Sequence, residues 1–234
     1  MTVDEPRAVA QRYARRGAAD RYSPLQPAVL MLLQERQRAL RRRLAAQGIT
    51  DLAPLRVVEV GCGSGGNLLE LLRLGCRPEH LQGIELLPDR HAQGRQVLPA
   101  ALRLWLGDAV TAPVDDASQD LVMQCTVFSS LLDDAFQQRL ADAMWRWLRP
   151  GGAVLWYDFT VDNPRNRDVR GVPLARLQAL FPQGRIQSQR VTLAPPLARM
   201  LCRMHPSLYT AFNLLPVLRT HVLAWVEKPA KRAA

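Results

Sequence analysis

The stretch Val57-Val58-Glu59-Val60-Gly61-Cys62-Gly63-Ser64-Gly65-Gly66-Asn67 decides how the rest of the chain is read. A short apolar run enters a cluster of glycines. Leu68, Leu71 and Leu72 then follow at helical spacing. Glycine lets the backbone turn sharply and leaves no Cβ between the chain and a ligand. A helix opening just behind such a loop presents free N–H groups and the positive end of its dipole. That geometry suits a polar or anionic ligand group.

The spacing alone leaves three readings open. Gly61-x-Gly63-x-x-Gly66 satisfies a dinucleotide fingerprint, and Gly61-x-Gly63-x-Gly65 fits an S-adenosylmethionine pattern. A tight strand-to-helix turn without a ligand is the third. Glu85 narrows the choice. It ends the next apolar run, Gly83-Ile84-Glu85, about twenty residues beyond the loop, where an acid accepts hydrogen bonds from both ribose hydroxyls.

Working outward, strand-like and helix-like pieces alternate. Strands are expected over 56–60, 81–86, 102–106, 120–125 and 153–158, with helices over 67–74, 90–98 and 136–148. This predicts a doubly wound α/β domain with a mostly parallel sheet covered on both faces. Upstream, residues 1–53 read as a helical cap. Its main helix is expected over 28–47, with Arg36, Arg38, Arg41, Arg42 and Arg43 crowding the positions between its leucines. Residues 54–184 read as the cofactor-binding core. Downstream, a helix is expected over 174–180, a strand over 185–193, two short helices within 195–218 and a last strand over 221–227. The last strand is expected to run antiparallel, giving seven strands with a helical lid before it, all in one domain of 234 residues.

In their order, these motifs resemble those of the class I S-adenosylmethionine-dependent methyltransferases. Glu59–Gly65 is similar to the family's first motif, which Asn67 follows. Glu85 is similar to its ribose-binding acid. Gly107-Asp108-Ala109 stands where the family places an acid beside the adenine amino group. Asp120–Gln124 resembles the fourth strand, whose end lines the sulfonium, and Leu148–Gly152 the turn before strand five. Further stretches resemble a narrower, type 11/12-like bacterial group: Arg21-Tyr22-Ser23, Thr126-Val127-Phe128-Ser129-Ser130, Trp156–Phe159, Asn163–Asn166 and Leu218–His221. The resemblance implies S-adenosylmethionine as cofactor and S-adenosylhomocysteine as product. It also implies an N-terminal segment folded over the cofactor, with Tyr22 reaching its carboxylate, and an association with glycan pathways.

Methyl transfer to a hydroxyl needs alignment, exclusion of water and removal of a proton. Asp158, at the end of strand five, is the first candidate for the base, and His221 the second. Phe128, Asn163 and Arg165 are candidates for contact with the acceptor. Arg165 and Arg167 suit an anionic acceptor, because guanidinium pairs bidentately with phosphate or carboxylate. The expected acceptor is a sugar, glycan or lipid-linked small molecule. A carboxylate or another small metabolite is the alternative. Two other classes stay open: a nicotinamide-dependent oxidoreductase, which lacks a Tyr-x-x-x-Lys pair here, and a non-catalytic cofactor-binding module.

Composition bounds the partners. The net charge of +10 favours anionic ones: a charged substrate, a membrane surface or nucleic acid. Nucleic acid is disfavoured, because no aromatic-and-basic array is present to stack bases. Cys62, Cys76, Cys125 and Cys202 form no C-x-x-C pair, and no His stands at zinc-finger spacing, so no metal is expected. The opening MTVDEPRAV lacks an apolar h-region, and no run approaches a membrane span, which predicts a cytoplasmic protein. The apolar, arginine-bearing stretch 193–218 reads as a lid, a dimer contact or a peripheral membrane contact.

Overall fold

A computed structural model describes residues 4–15, 23–164 and 166–230. Two helices, α1 (Glu5–Ala14) and α2 (Pro27–Ala46), precede the sheet. Then come β1 (Val57–Val60), α3 (Gly66–Arg73), β2 (Leu81–Glu85), α4 (Pro88–Val97), β3 (Arg103–Leu106) and β4 (Gln119–Cys125). The second half comprises α5 (Asp134–Trp147), β5 (Leu148–Phe159), α6 (Leu174–Leu180), β6 (Arg185–Leu193), α7 (Pro195–Met204), α8 (Ser207–Phe212) and β7 (Arg219–Glu227).

The seven strands form one sheet in the order β3-β2-β1-β4-β5-β7-β6. β1 pairs in parallel with β2 and β4, and β7 is antiparallel to both β5 and β6. The order therefore reverses between β1 and β4, where ligands of doubly wound sheets collect at the carboxyl ends of the strands. β1 is buried along its whole length, which explains why Val57–Val60 reads as a continuous run rather than an alternation. One face of the sheet packs on α5 and α6 through Val58, Met144, Trp147, Trp156 and Leu177. The other packs on α2 and α3 through Leu44, Leu68, Leu71, Leu155 and Trp225. A third, smaller core joins the start of α2 to the β6–β7 insertion through Ala28, Leu193, Ala198, Leu201 and Tyr209.

Several boundaries differ from expectation by one or two residues, and one by five. β5 starts at Leu148, five residues early, with no turn at Pro150-Gly151-Gly152. Gly151 N–H donates to Lys228 O at 2.9 Å and Lys228 N–H to Gly152 O at 2.8 Å, so the strand is held from its first turn of chain. A Cβ on Gly152 would stand 2.9 Å from Asp120 O, so glycine serves close strand approach here. β7 likewise begins two residues early, at Arg219, because Leu193 pairs opposite it.

Candidate active site

The glycine loop begins at the end of β1. Gly61 has φ +63, and a Cβ there would stand 2.5 Å from Val127 Cγ2, so the segment after β4 lies directly on bare backbone. Gly65, at φ +88, caps α3, and its Cβ would meet Leu98 Cδ1 at 2.7 Å. Both positions combine a left-handed φ with a filled Cβ site, which only glycine meets without strain. Glu85 at the end of β2 binds the loop. Its Oε2 accepts Gly63 N–H and its Oε1 accepts Leu87 N–H, both at 2.8 Å. Each carboxylate oxygen keeps a further lone pair for a ligand hydroxyl. Asp108, after β3, accepts Val110 N–H at 2.9 Å.

These groups surround one cavity. Gly61, Glu85, Asp108, Ala109, Thr126 and Val127 line it from the ends of four parallel strands, and Pro6, Val9 and Tyr13 of α1 close it from above. Thr126 is a non-glycine residue at φ +56, and backbone strain of this kind gathers at ligand sites. The docking of α1 is specific. Glu5 Oε1 accepts Leu132 N–H at 2.7 Å and Arg12 Nη2 at 2.5 Å, while Arg12 also donates to Ser130 O at 2.9 Å. The Arg90 guanidinium stands 4.7 Å from the Tyr13 ring centroid, adding a cation–π contact from α4.

Beneath the loop lies a buried polar chain. Arg36 of α2 donates to Asn67 Oδ1 at 2.7 Å, and Asn67 Nδ2 donates to Glu59 Oε1 at 2.5 Å. Glu59 is fully buried, and its Oε2 has no hydrogen-bond partner among the described residues. Burial pushes its carboxyl up to about 7, against the lowering effects of Asn67 and Arg36. The Arg36 guanidinium also lies 5.4 Å from the centroid of Tyr157.

The two candidate bases occupy different settings. Asp158 is 0 % exposed and absent from the cavity wall; its Oδ2 accepts Ser129 N–H at 3.1 Å and its Oδ1 accepts Phe159 N–H at 3.0 Å. Burial raises its carboxyl to about 7. His221 pairs with Phe159 across β5 and β7 and stacks on Tyr157, ring centroids 5.0 Å apart. Its Nδ1 lies 3.0 Å from Thr220 Oγ1, and burial, with the Arg36 charge second, lowers its pKa to about 4. His221 is therefore neutral at pH 7.

The remaining sequence candidates divide. Gln124 is fully buried behind the wall, accepting Val127 N–H at 3.0 Å and so shaping the turn that presses on Gly61. Phe128 lies in the core, its ring centroid 4.5 Å from that of Trp156, and does not reach the cavity. Asn163 is exposed on the loop after β5, away from the cavity lining. Tyr22 and Arg165 lie outside the described residues. Arg36 and Tyr157 went unassigned at the sequence level. Arg36 sits inside an arginine run that reads as a solvated face, and only its i, i+4 spacing from the apolar Leu32 and Leu40 hinted that it turns inward.

A family model described as a methyltransferase domain matches residues 57–152. Among curated proteins, the tRNA N(3)-methylcytidine methyltransferase Mettl2 of Drosophila melanogaster is 29% identical over 121 residues, 46% of this chain and 35% of that protein. The phthiotriol/phenolphthiotriol dimycocerosates methyltransferase 1 of Mycobacterium ulcerans is 35% identical over 132 residues, 54% of this chain and 47% of that protein. The chain thus spans half or less of the length of these relatives. Among solved structures, a SAM-dependent methyltransferase from Archaeoglobus fulgidus superimposes with a TM-score of 0.60 at 14% identity, covering 85% of this chain and 98% of that one. The matched region begins at β1, contains the glycine loop, Glu85 and Asp108, and stops at Gly152 within β5; over these residues the chain is similar to a methyltransferase domain.

Proposed function

We propose that the chain transfers the methyl group of S-adenosylmethionine to an oxygen of a lipid-linked or glycan-type acceptor. The observation that carries the cofactor half is the convergence of Gly61, Glu85 and Asp108 on one cavity at the switch point of the sheet. The residues fit the cofactor. A bare Cα at Gly61 admits close backbone approach, Glu85 has spare lone pairs for ribose hydroxyls, and Asp108 with Ala109 suits an adenine edge and face. When bound, the cofactor supplies an electrophilic methyl group on a positive sulfur.

The protein's own tasks are then orientation and proton handling. α1, held by Glu5, Arg12 and Tyr13, shields the cavity from water. The row Cys125–Tyr157, paired in register across β4 and β5, leads from the cavity wall to His221. Neither candidate base lines the cavity; we assign the acceptor's proton to His221, which is 8% exposed against 0% for Asp158 and stacks on Tyr157, the strand partner of the wall residue Cys125. Asp158 titrates near neutrality, yet it is fully buried and absent from the cavity wall, and its oxygens hold the backbone N–H groups of Ser129 and Phe159. Geometry decides before pKa, and Asp158 is assigned to positioning the β4–α5 loop. A lipid-linked acceptor is favoured by the mycobacterial relative, whose name gives dimycocerosates, and by the acid-free, apolar insertion before β7. Nucleic acid is the second reading, favoured by the tRNA-modifying relative and the charge of +10. Incubation with methyl-tritiated cofactor and separate lipid, glycan and RNA pools distinguishes them. Label in lipid or glycan supports the reading, and label confined to RNA overturns it.

A further inference from the structure

Twelve large apolar side chains are exposed among the described residues, and six of them lie on the insertion between β6 and β7: Met200, Met204, Phe212, Leu214, Leu215 and Val217. Two more, Leu25 just before α2 and Leu30 in its first turn, lie beside the part of α2 that packs on that insertion. Elsewhere exposed leucines and valines are scattered singly, which is normal for a protein surface. Here they cluster on one sub-structure. α7 turns Ala198, Leu201 and Cys202 inward and Met200, Arg203 and Met204 outward. Beyond α8, the tip Leu214-Leu215-Pro216-Val217 is exposed throughout, with Val217 at 79%.

The charge around this surface has one sign. Residues 194–218 contain no Asp or Glu and carry Arg199 and Arg203, with Arg190 and Arg219 on the strands that flank them. On α2, the exposed Arg38, Arg41 and Arg42 extend the basic field, and the helix's one acid, Glu35, is buried.

We infer that the β6–β7 insertion is a docking surface for a bilayer containing anionic phospholipid. Exposed aliphatic side chains enter the acyl boundary, while the neighbouring arginines meet the headgroups. A second copy of the chain fits less well, since a symmetric contact would set arginines against arginines with no acid to pair them. RNA fits the arginines but has no use for a methionine, leucine and valine surface. No helix among the described residues is long and apolar enough to cross a membrane, so the contact lies on the bilayer and not through it. The surface is also wired to the site. Tyr209 of α8 donates to Glu35 at 2.7 Å, Glu35 accepts Thr192 N–H at 2.9 Å, and Thr192 Oγ1 lies 2.8 Å from the hydroxyl of Tyr157, on which His221 stacks. A membrane-seated insertion would thereby face a lipid-linked acceptor toward the row that ends at His221. This last step rests on the lipid reading above, and the docking itself does not.

The test is flotation of the full chain, without cofactor or acceptor, on phosphatidylcholine vesicles with and without phosphatidylglycerol. The chain is expected to float with the anionic vesicles and to be released by salt. Leu214→Glu with Val217→Glu should weaken that binding at least about tenfold, since apolar burial is lost at two side chains. Both sites are exposed, so melting temperature and S-adenosylhomocysteine binding should stay at wild-type values, which separates lost docking from lost folding. Three results overturn the inference: no flotation, flotation unchanged by the double substitution, or a wild-type dimer in light scattering that the double substitution converts to monomer without any vesicle binding. None of these touches the assignment of the methyl transfer.

Discussion

Replacing Glu85 with Gln tests its proposed role as the acid that selects the cofactor ribose. In the wild type each carboxylate oxygen accepts one backbone N–H at 2.8 Å. Gln keeps one acceptor and turns an NH₂ donor toward the other N–H. The substitution therefore loses one charge-assisted hydrogen bond, about 1.5–3 kcal/mol, and leaves a buried backbone donor unpaired. The expected loss of stability is about 3 kcal/mol, or roughly 6–12 °C in Tm for a chain of this size. Cofactor binding should fall separately, by about 10–100-fold, as a charged acceptor for a ribose hydroxyl becomes neutral. Calorimetry with S-adenosylhomocysteine and with an analogue lacking both ribose hydroxyls separates the two effects as a double-mutant cycle. The analogue should bind wild type and variant alike. If S-adenosylhomocysteine also binds both alike while Tm falls, Glu85 only staples the loop and the ribose assignment is wrong.

Three further outcomes follow from the same geometry. Gly61→Ala should abolish measurable S-adenosylhomocysteine binding, because the new methyl meets Val127 at 2.5 Å and the φ of +63 is strained; adding Val127→Ala should restore part of the affinity, and full independence of the two sites would sink the contact. His221→Gln should lower kcat by about 10²-fold with cofactor affinity intact, whereas Asp158→Asn should act chiefly on Tm; the reverse pattern in kinetics and melting would move the base to Asp158. Glu59 has a folded pKa of about 7, above its unfolded value, so its proton favours the folded state at low pH and that stabilisation is lost as pH rises through about 7. Stability of wild type relative to Glu59→Gln should therefore fall by about 1–2 kcal/mol between pH 5 and pH 7, within the linkage limit of about 1.4 kcal/mol per pH unit per proton. His221, whose pKa is lowered to about 4, acts oppositely between pH 4 and about 6.5 in both proteins and cancels in the comparison. A flat difference in urea melts across that range would contradict the buried, protonated Glu59.

The central sheet was legible because its signals are local. Continuous apolar runs mark strands buried on both faces, glycines mark the loop, and helical spacing marks α3 and α5. The limits of α6 and β6 coincide with expectation, because Pro173 and Gly184 punctuate them. What stayed hidden depends on partners far along the chain. Glu35 looks like a lone acid in an arginine-rich helix, yet it is buried against Thr192 and Tyr209, 157 and 174 residues away. Arg36 reads as solvated until Asn67 and Tyr157 are brought beside it. Pro150-Gly151-Gly152 has the composition of a turn, and only its pairing with Lys228 makes it strand. Asp158 was singled out for its place at a strand end, but sequence spacing carries no information on which groups its oxygens would meet.

The most direct test of the account is transfer from methyl-tritiated S-adenosylmethionine to a lipid extract of the source organism, counted in the organic phase against S-adenosylhomocysteine formed. The account predicts organic-phase label equal in amount to S-adenosylhomocysteine, with the methyl on oxygen by mass spectrometry, and a loss of both in Gly61→Ala. Binding of NAD without S-adenosylhomocysteine, or methyl label on nitrogen of RNA with none in lipid or glycan, would contradict it.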